Sequence, residues 1–146
     1  FRSYSYASLY LGLLFLDGIG VERDLVRSEA WIRRAATSGL SLAAETLALN
    51  FSRSDDERIF WLEQAAEKWL LSSQTALIRI YGEGDQTVEK IKKAYFWQSI
   101  GRSLKPSEQS PGNDSLARLL DSTAREEVAR QVLVWLQSHQ YADHMW

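Results

Sequence analysis

The chain of 146 residues contains no cysteine, two prolines, one methionine and two histidines. Without cysteine there is no disulfide scaffold, zinc–thiolate site, thiol nucleophile or c-type haem attachment. Both histidines, His139 and His144, stand near the C-terminal end, which excludes a histidine base in the body of the fold. No apolar run approaches the ~18–20 residues that span a bilayer. The longest, Ala7 to Leu16, includes Ser8 and Gly12 and is stopped by Asp17. Lysine and arginine number 17 against 19 acids, a net charge of −2, so the basic face of a general nucleic-acid binder is not expected. Lack of cysteine suits an oxidising compartment without demanding one. A start at Phe1 rather than Met is expected of a processed or trimmed chain, a lost secretory signal being one route. Localisation stays open.

What is present is an ordinary balance of 45% hydrophobic and 25% charged residues, with six tryptophans. That is enough for one domain with a real core. The tryptophans reveal a repeat. With Trp31, Trp61 and Trp97 in one column, Ala35-Ala36 and Ala65-Ala66 follow the first two by one turn. Leu11, Leu47 and Leu77 form an earlier column. Ala7, Ala43 and Ser73 precede these leucines by four residues, and Phe15, Phe51 and Tyr81 follow by four. Leu11 to Leu47 is 36 residues and Leu47 to Leu77 is 30, so the second unit is shortened between Phe51 and Trp61. A fixed period of this size signals stacked supersecondary units.

Each unit reads as two helices. Small residue, leucine and aromatic at i, i+4 and i+8 share one helical stripe, expected to face the core. Asp17-Gly18-Ile19-Gly20-Val21 supplies a turn, Asp24 an N-cap, and Gly39 a left-handed helix end. The shortened unit substitutes Ser54-Asp55-Asp56-Glu57, a capping box opening a helix that runs to about Glu67. Trp69 occupies the column of Gly39. A non-glycine residue there would face roughly 1–2 kcal/mol of left-handed strain, so this helix is expected to close by another route with the indole packed between repeats.

These residues resemble the Sel1-like repeat family, a helical-pair repeat related to tetratricopeptide repeats. Ala7, Leu11-Gly12, Phe15, Gly18, Gly20-Val21, Asp24, Arg27, Trp31, Ala35-Ala36 and Gly39 follow the family spacing across one unit. The second unit lacks the glycine turn. The third keeps Leu77, Tyr81, Gly84, Lys93-Ala94 and Trp97, but has Gln86-Thr87 for Gly-Val, Lys90 for Asp and Gly101-Arg102 for Ala-Ala. The resemblance implies an all-α fold, a short right-handed α-solenoid of about three repeats, with residues 4–39, 40–69 and 70–104 as the units. Residues 105–113, with Pro106 and Pro111, read as a linker. Residues 114–140 read as a C-terminal capping segment: a short helix around Leu116–Leu120, then one opened by Thr123 and Glu126 and lined by Val128, Val132, Trp135 and Leu136. The whole chain, 1–146, is expected to be a single domain.

No catalytic set is legible. His139 and His144, with Asp143, are spaced five apart and diverge by about 140° on a helix, so no metal site is expected and no cofactor either. Gly82-Glu83-Gly84-Asp85 lacks the Lys-Ser/Thr of a phosphate loop and reads as a repeat turn. Asp55, Asp56 and Glu57 are explained by capping and the helix dipole. A hydrolase using carboxylates such as Glu45 or Asp56 would require them buried and convergent.

The reading points to a protein partner. First-helix columns two and six residues after the small residue read Leu9, Glu45, Thr75 and Leu13, Leu49, Arg79. They lie about 200° and 240° around the helix from that residue, away from the expected core stripe. With Leu16 and Trp69 they form the expected partner-binding set, the alternative being that Leu13, Leu16 and Leu49 pack against the capping segment or against residues before Phe1. The expected function is a non-enzymatic protein-interaction module, refined to an inhibitor or immunity-type protein that binds a cognate toxin or effector. Alternatives are an envelope, secretion or signalling adaptor, which the resemblance implies together with a bacterial, periplasmic setting, and a solenoid binding peptidoglycan or other glycans through Trp69.

Overall fold

The computed structural model describes residues 2–104 and 115–143. The expected linker and His144 lie outside the described residues. Among those described there are eight helices and no strand: α1 (Arg2–Asp17), α2 (Leu25–Thr37), α3 (Ser41–Asn50), α4 (Asp55–Ala66), α5 (Leu71–Gly82), α6 (Val88–Leu104), α7 (Ser115–Arg118) and α8 (Ser122–Asp143). They form two compact units, Phe1–Gln74 and Thr75–Trp146, with the boundary inside α5.

In the first unit α1 packs on α2, α2 on α3, and α3 on α4. The turn after α1 uses Gly18 and Gly20 at positive φ, as expected, and Asp24 caps α2 by accepting from the Arg27 N–H at 3.0 Å. The α1–α2 approach is close because Gly12 has no side chain. A Cβ there would run into Ile32 Cγ1 and lie 3.1 Å from the Ser28 carbonyl. The buried Ser28 Oγ donates to the Gly12 carbonyl at 2.7 Å. Ala35, Ala43, Leu47, Leu62 and Ala65 complete a core of small and branched residues at 0–1% exposure.

The core stripe of α1 differs from the expected one. Ser8, Leu9 and Gly12 are buried, whereas Ala7 and Leu11 are exposed. In α3 the equivalent Ala43 and Leu47 are both buried. The difference is physical: α3 is packed between α2 and α4, while α1 packs on α2 alone among the elements of its unit with substantial contact.

Ser54 caps α4 as expected, accepting from the Glu57 N–H at 3.1 Å. The Glu57 carboxylate returns one residue further out than a standard capping box and accepts from the Arg53 N–H at 3.0 Å. The end of α4 overturns the expectation for Trp69. Trp69 stands at φ +66°, the same left-handed geometry as Gly39 at +99°. Leu70 N–H donates to the Ala65 carbonyl and Trp69 N–H to that of Ala66, matching Leu40 to Ala35 and Gly39 to Ala36. The two helices close identically, so the repeat geometry overrides the strain of a non-glycine residue.

In the second unit α6 packs on α8 and, more lightly, on α7. Trp97 and Trp135 meet edge to face at 6.0 Å, and Phe96 joins them 6.5 Å from Trp135. Ile91, Leu120 and Ala124 form a second buried cluster with Tyr95 and Leu116 beside it. Lys92 Nζ donates to Glu127 Oε2 at 2.8 Å across the α6–α8 contact. The cap of α8 is Asp121 rather than Thr123: its carboxylate accepts from the Ala124 N–H at 2.7 Å. The preceding residue wins because its carboxylate sits where the helix first turns.

Candidate protein-interaction surface

The residues expected to bind a partner differ in burial and in their contacts. Leu9 is 7% exposed and is corrected from a surface position to a core one, since α1 turns the side bearing Ser8, Leu9 and Gly12 inward. Leu13 and Leu16 are half-buried, and Leu49 is 61% exposed. Glu45 is half-buried, and its Oε2 accepts from the hydroxyls of Ser72 and Ser73, both at 2.5 Å. Through that oxygen it ties α3 to the start of α5. Thr75 and Arg79 are exposed and belong to the second unit. Trp69 is half-buried.

Sequence reasoning missed three residues. Tyr6 and Tyr10 on α1 are 52% and 64% exposed, and Leu42 on α3 is 45% exposed. Tyr6 and Leu42 share the column one residue before the small position, and Leu13 and Leu49 share the column six after it. Tyr6, Tyr10 and Leu13 follow i, i+4, i+7 spacing, as do Leu42, Thr46 and Leu49. The signal was present in the sequence: an aromatic or leucine just outside the small-residue column, where a solvated helix face favours polar residues. Apolar and tyrosine side chains at these columns give a surface of the composition found at recognition interfaces.

The surrounding charge is organised for architecture. Glu29 on α2 accepts from Arg33 at 2.8 Å and from Arg53 at 3.3 Å, and Arg33 also reaches Glu57 at 3.3 Å. The network links α2 to the start of α4. The Arg53 N–H and the Arg33 guanidinium hold the Glu57 carboxyl below the usual carboxylate range. Glu29 and Glu57 push the Arg33 guanidinium up. Cations also lie over repeat aromatics: Arg27 is 5.8 Å from the Phe15 ring centroid and Lys93 is 5.4 Å from that of Tyr81. These are the same two columns in different repeats, a latch between the helices of a pair.

None of the described acids from Asp17 to Glu127 is buried, so the convergent carboxylates required of a hydrolase are not found among them. Asp55 instead pairs with Arg58 at 3.3 Å. No group of three potential metal ligands occurs among the described residues. His139 lies stacked on Trp135, with ring centroids 3.8 Å apart. No described helix is long and apolar enough to cross a membrane.

A comparison with curated protein sequences finds no match. The Sel1 repeat family model matches residues 5–40, 59–68 and 73–97. The first match runs from the first turn of α1 past the end of α2. The gap before the second, residues 41–58, takes in α3, the turn that the shortened unit rebuilds with Ser54, and the first residues of α4. The chain thus belongs to the Sel1 repeat family, whose helical pairs indicate a protein-interaction scaffold.

Proposed function

We propose that this chain recognises a protein partner through the first-helix columns of its leading repeats, with Tyr6, Tyr10 and Leu13 on α1 and Leu42 and Leu49 on α3 as the contact residues. The observation that carries this reading is the exposure of Tyr6, Tyr10, Leu42 and Leu49 at repeat-equivalent positions. A helix face that only meets water gains nothing from two tyrosines and two leucines. A recognition face gains large contact area at low conformational cost. Thr75 and Arg79 extend the same columns in sequence and are proposed as polar contacts.

The finer reading is an inhibitor or immunity-type protein that occupies a cognate effector enzyme and blocks it. Its support is the scarcity of reactive side chains, with no cysteine and two histidines in the sequence. The test is recovery of the partner from the native host, followed by assay of that partner alone and with the purified chain. Loss of partner activity on stoichiometric binding bears out the inhibitor reading. Binding without inhibition assigns the adaptor role instead.

The glycan reading through Trp69 gains less support. The indole Nε1 is buried and the ring only half-exposed, whereas a stacking platform needs an open ring face.

A further inference from the structure

On α3 the two exposed leucines flank an acid. Leu42, Glu45 and Leu49 fall at i, i+3 and i+7 and share one helix face. The leucines are exposed and Glu45 is half-buried between them along the helix. Glu45 is also the only charged residue of α3.

Its carboxylate is held at one oxygen and open at the other. Oε2 accepts from Ser72 Oγ and Ser73 Oγ, both at 2.5 Å, the length of a hydroxyl bond to an ionised carboxylate. Ser73 is fully buried, so the group is anchored in one position. Oε1 has no hydrogen-bond partner among the described residues and is not sealed in the interior, as the unpaired oxygens of Gln74 and Gln98 are. Four other half-buried acids, Asp24, Glu29, Glu57 and Glu127, each pair with an arginine or lysine. Glu45 has no cationic partner among the described residues.

We infer that Glu45 Oε1 receives a basic side chain of the protein partner, an arginine or lysine flanked by apolar residues that rest on Leu42 and Leu49. This rests on the reading that these columns recognise a protein, and it names the chemistry of what they recognise. A partner that covers the two leucines also takes the carboxylate out of water. An unpaired charge opposes that burial, and a cation set against it relieves the penalty. The leucines lower the local dielectric and so strengthen the pair. Because the serines fix the carboxylate before binding, little side-chain freedom is lost in forming it. Joining α3 to α5 does not itself call for a charge, since a glutamine amide oxygen accepts the same two hydroxyls. The negative charge is an addition to that tie, and it discriminates against neutral and acidic segments.

The experiment titrates the full chain into three fluorescent peptides of alanine and leucine that differ only at one central residue: arginine, its neutral isostere citrulline, or glutamate. Wild type binds the arginine peptide about tenfold more tightly than the citrulline one, with a smaller margin at high salt, and the glutamate peptide most weakly. Glu45→Gln keeps an acceptor for Ser72 and Ser73 and binds the arginine and citrulline peptides equally. Leu49→Gln weakens all three alike, because it removes apolar contact and leaves the charge. Equal binding of the arginine and citrulline peptides by wild type overturns the inference; if Leu49→Gln still weakens both, the recognition face stands without it. An arginine preference that survives Glu45→Gln also overturns it, since the attracting charge then lies elsewhere. Equal binding of every peptide by wild type and Leu49→Gln overturns the recognition reading as well. Failure of the arginine peptide to bind wild type overturns the inference alone, the recognition face being decided by titration of the captured partner.

Discussion

Ser28 Oγ donates to the carbonyl of Gly12 at 2.7 Å, inside the contact between the first two helices. The bond is possible because Gly12 lets α2 come within van der Waals reach of the α1 backbone. Gly12→Ala places a methyl group against Ile32, which is fully buried. The gain in helix propensity, about 1 kcal/mol, is outweighed by overpacking of about 1–3 kcal/mol. Denaturant titration is expected to show net destabilisation. Combining Gly12→Ala with Ile32→Ala should then cost less than the sum of the two single changes, because the second removes the group that clashes.

Trp69 offers a cleaner backbone test. Alanine normally outranks glycine in stability at ordinary helix positions. At φ +66° the order should reverse, and Trp69→Gly should be about 1–2 kcal/mol more stable than Trp69→Ala. Gly39→Ala should be destabilising by a similar amount, since its Cβ would also lie 2.7 Å from Lys68 Nζ. Melting temperatures of the three variants decide this.

Acid sensitivity follows from two carboxylates. Glu57 is held below the usual range by the Arg53 N–H and then Arg33, and Glu127 by Lys92. A carboxyl depressed in the folded state lends stability that is present above its unfolded pKa of about 4.3 and lost as pH falls through the folded value. Lys92, raised by Glu127, has the opposite sign: its contribution is present below the unfolded lysine pKa and lost as pH rises through the folded one. Urea midpoints should fall on acidification below about pH 4.3, and Glu57→Gln and Glu127→Gln should each flatten that fall. Both sites are solvent-exposed enough for the effects to be small and weakened by salt.

How much of this was legible in the sequence depends on what each element answers to. The tryptophan repeat, the Asp24 and Ser54 caps and the Ala35-Ala36 pair one turn after Trp31 are local or periodic, so spacing alone reveals them. Leu9 and Leu11 exchanged places because burial on α1 is set by which neighbour exists, and periodicity assumes one on both sides. Trp69 was misjudged because a local penalty was weighed without the repeat geometry that imposes it. Tyr6, Tyr10 and Leu42 were visible as residues. Their meaning required knowing which side of the helix remained open.

The terminal cap carries its own expectation. Trp135 is 7% exposed and meets Trp97, Phe96 and His139. Trp135→Ala should cost about 3–5 kcal/mol and shift the fluorescence of the second unit toward that of exposed tryptophan. His139→Ala removes a stacked ring at the edge of the same cluster and should cost far less.

Protein recognition by the first-helix columns is the central claim, and its most direct measurement is a titration. The partner captured from the native host is purified and titrated with wild type, Tyr6→Arg, Leu49→Arg and the α2 surface control Val26→Arg. The account predicts that Tyr6→Arg and Leu49→Arg each weaken binding by at least about tenfold, roughly 1.4 kcal/mol, while Val26→Arg binds as the wild type does. Wild-type affinity in both column variants, or a loss confined to Val26→Arg, would contradict it.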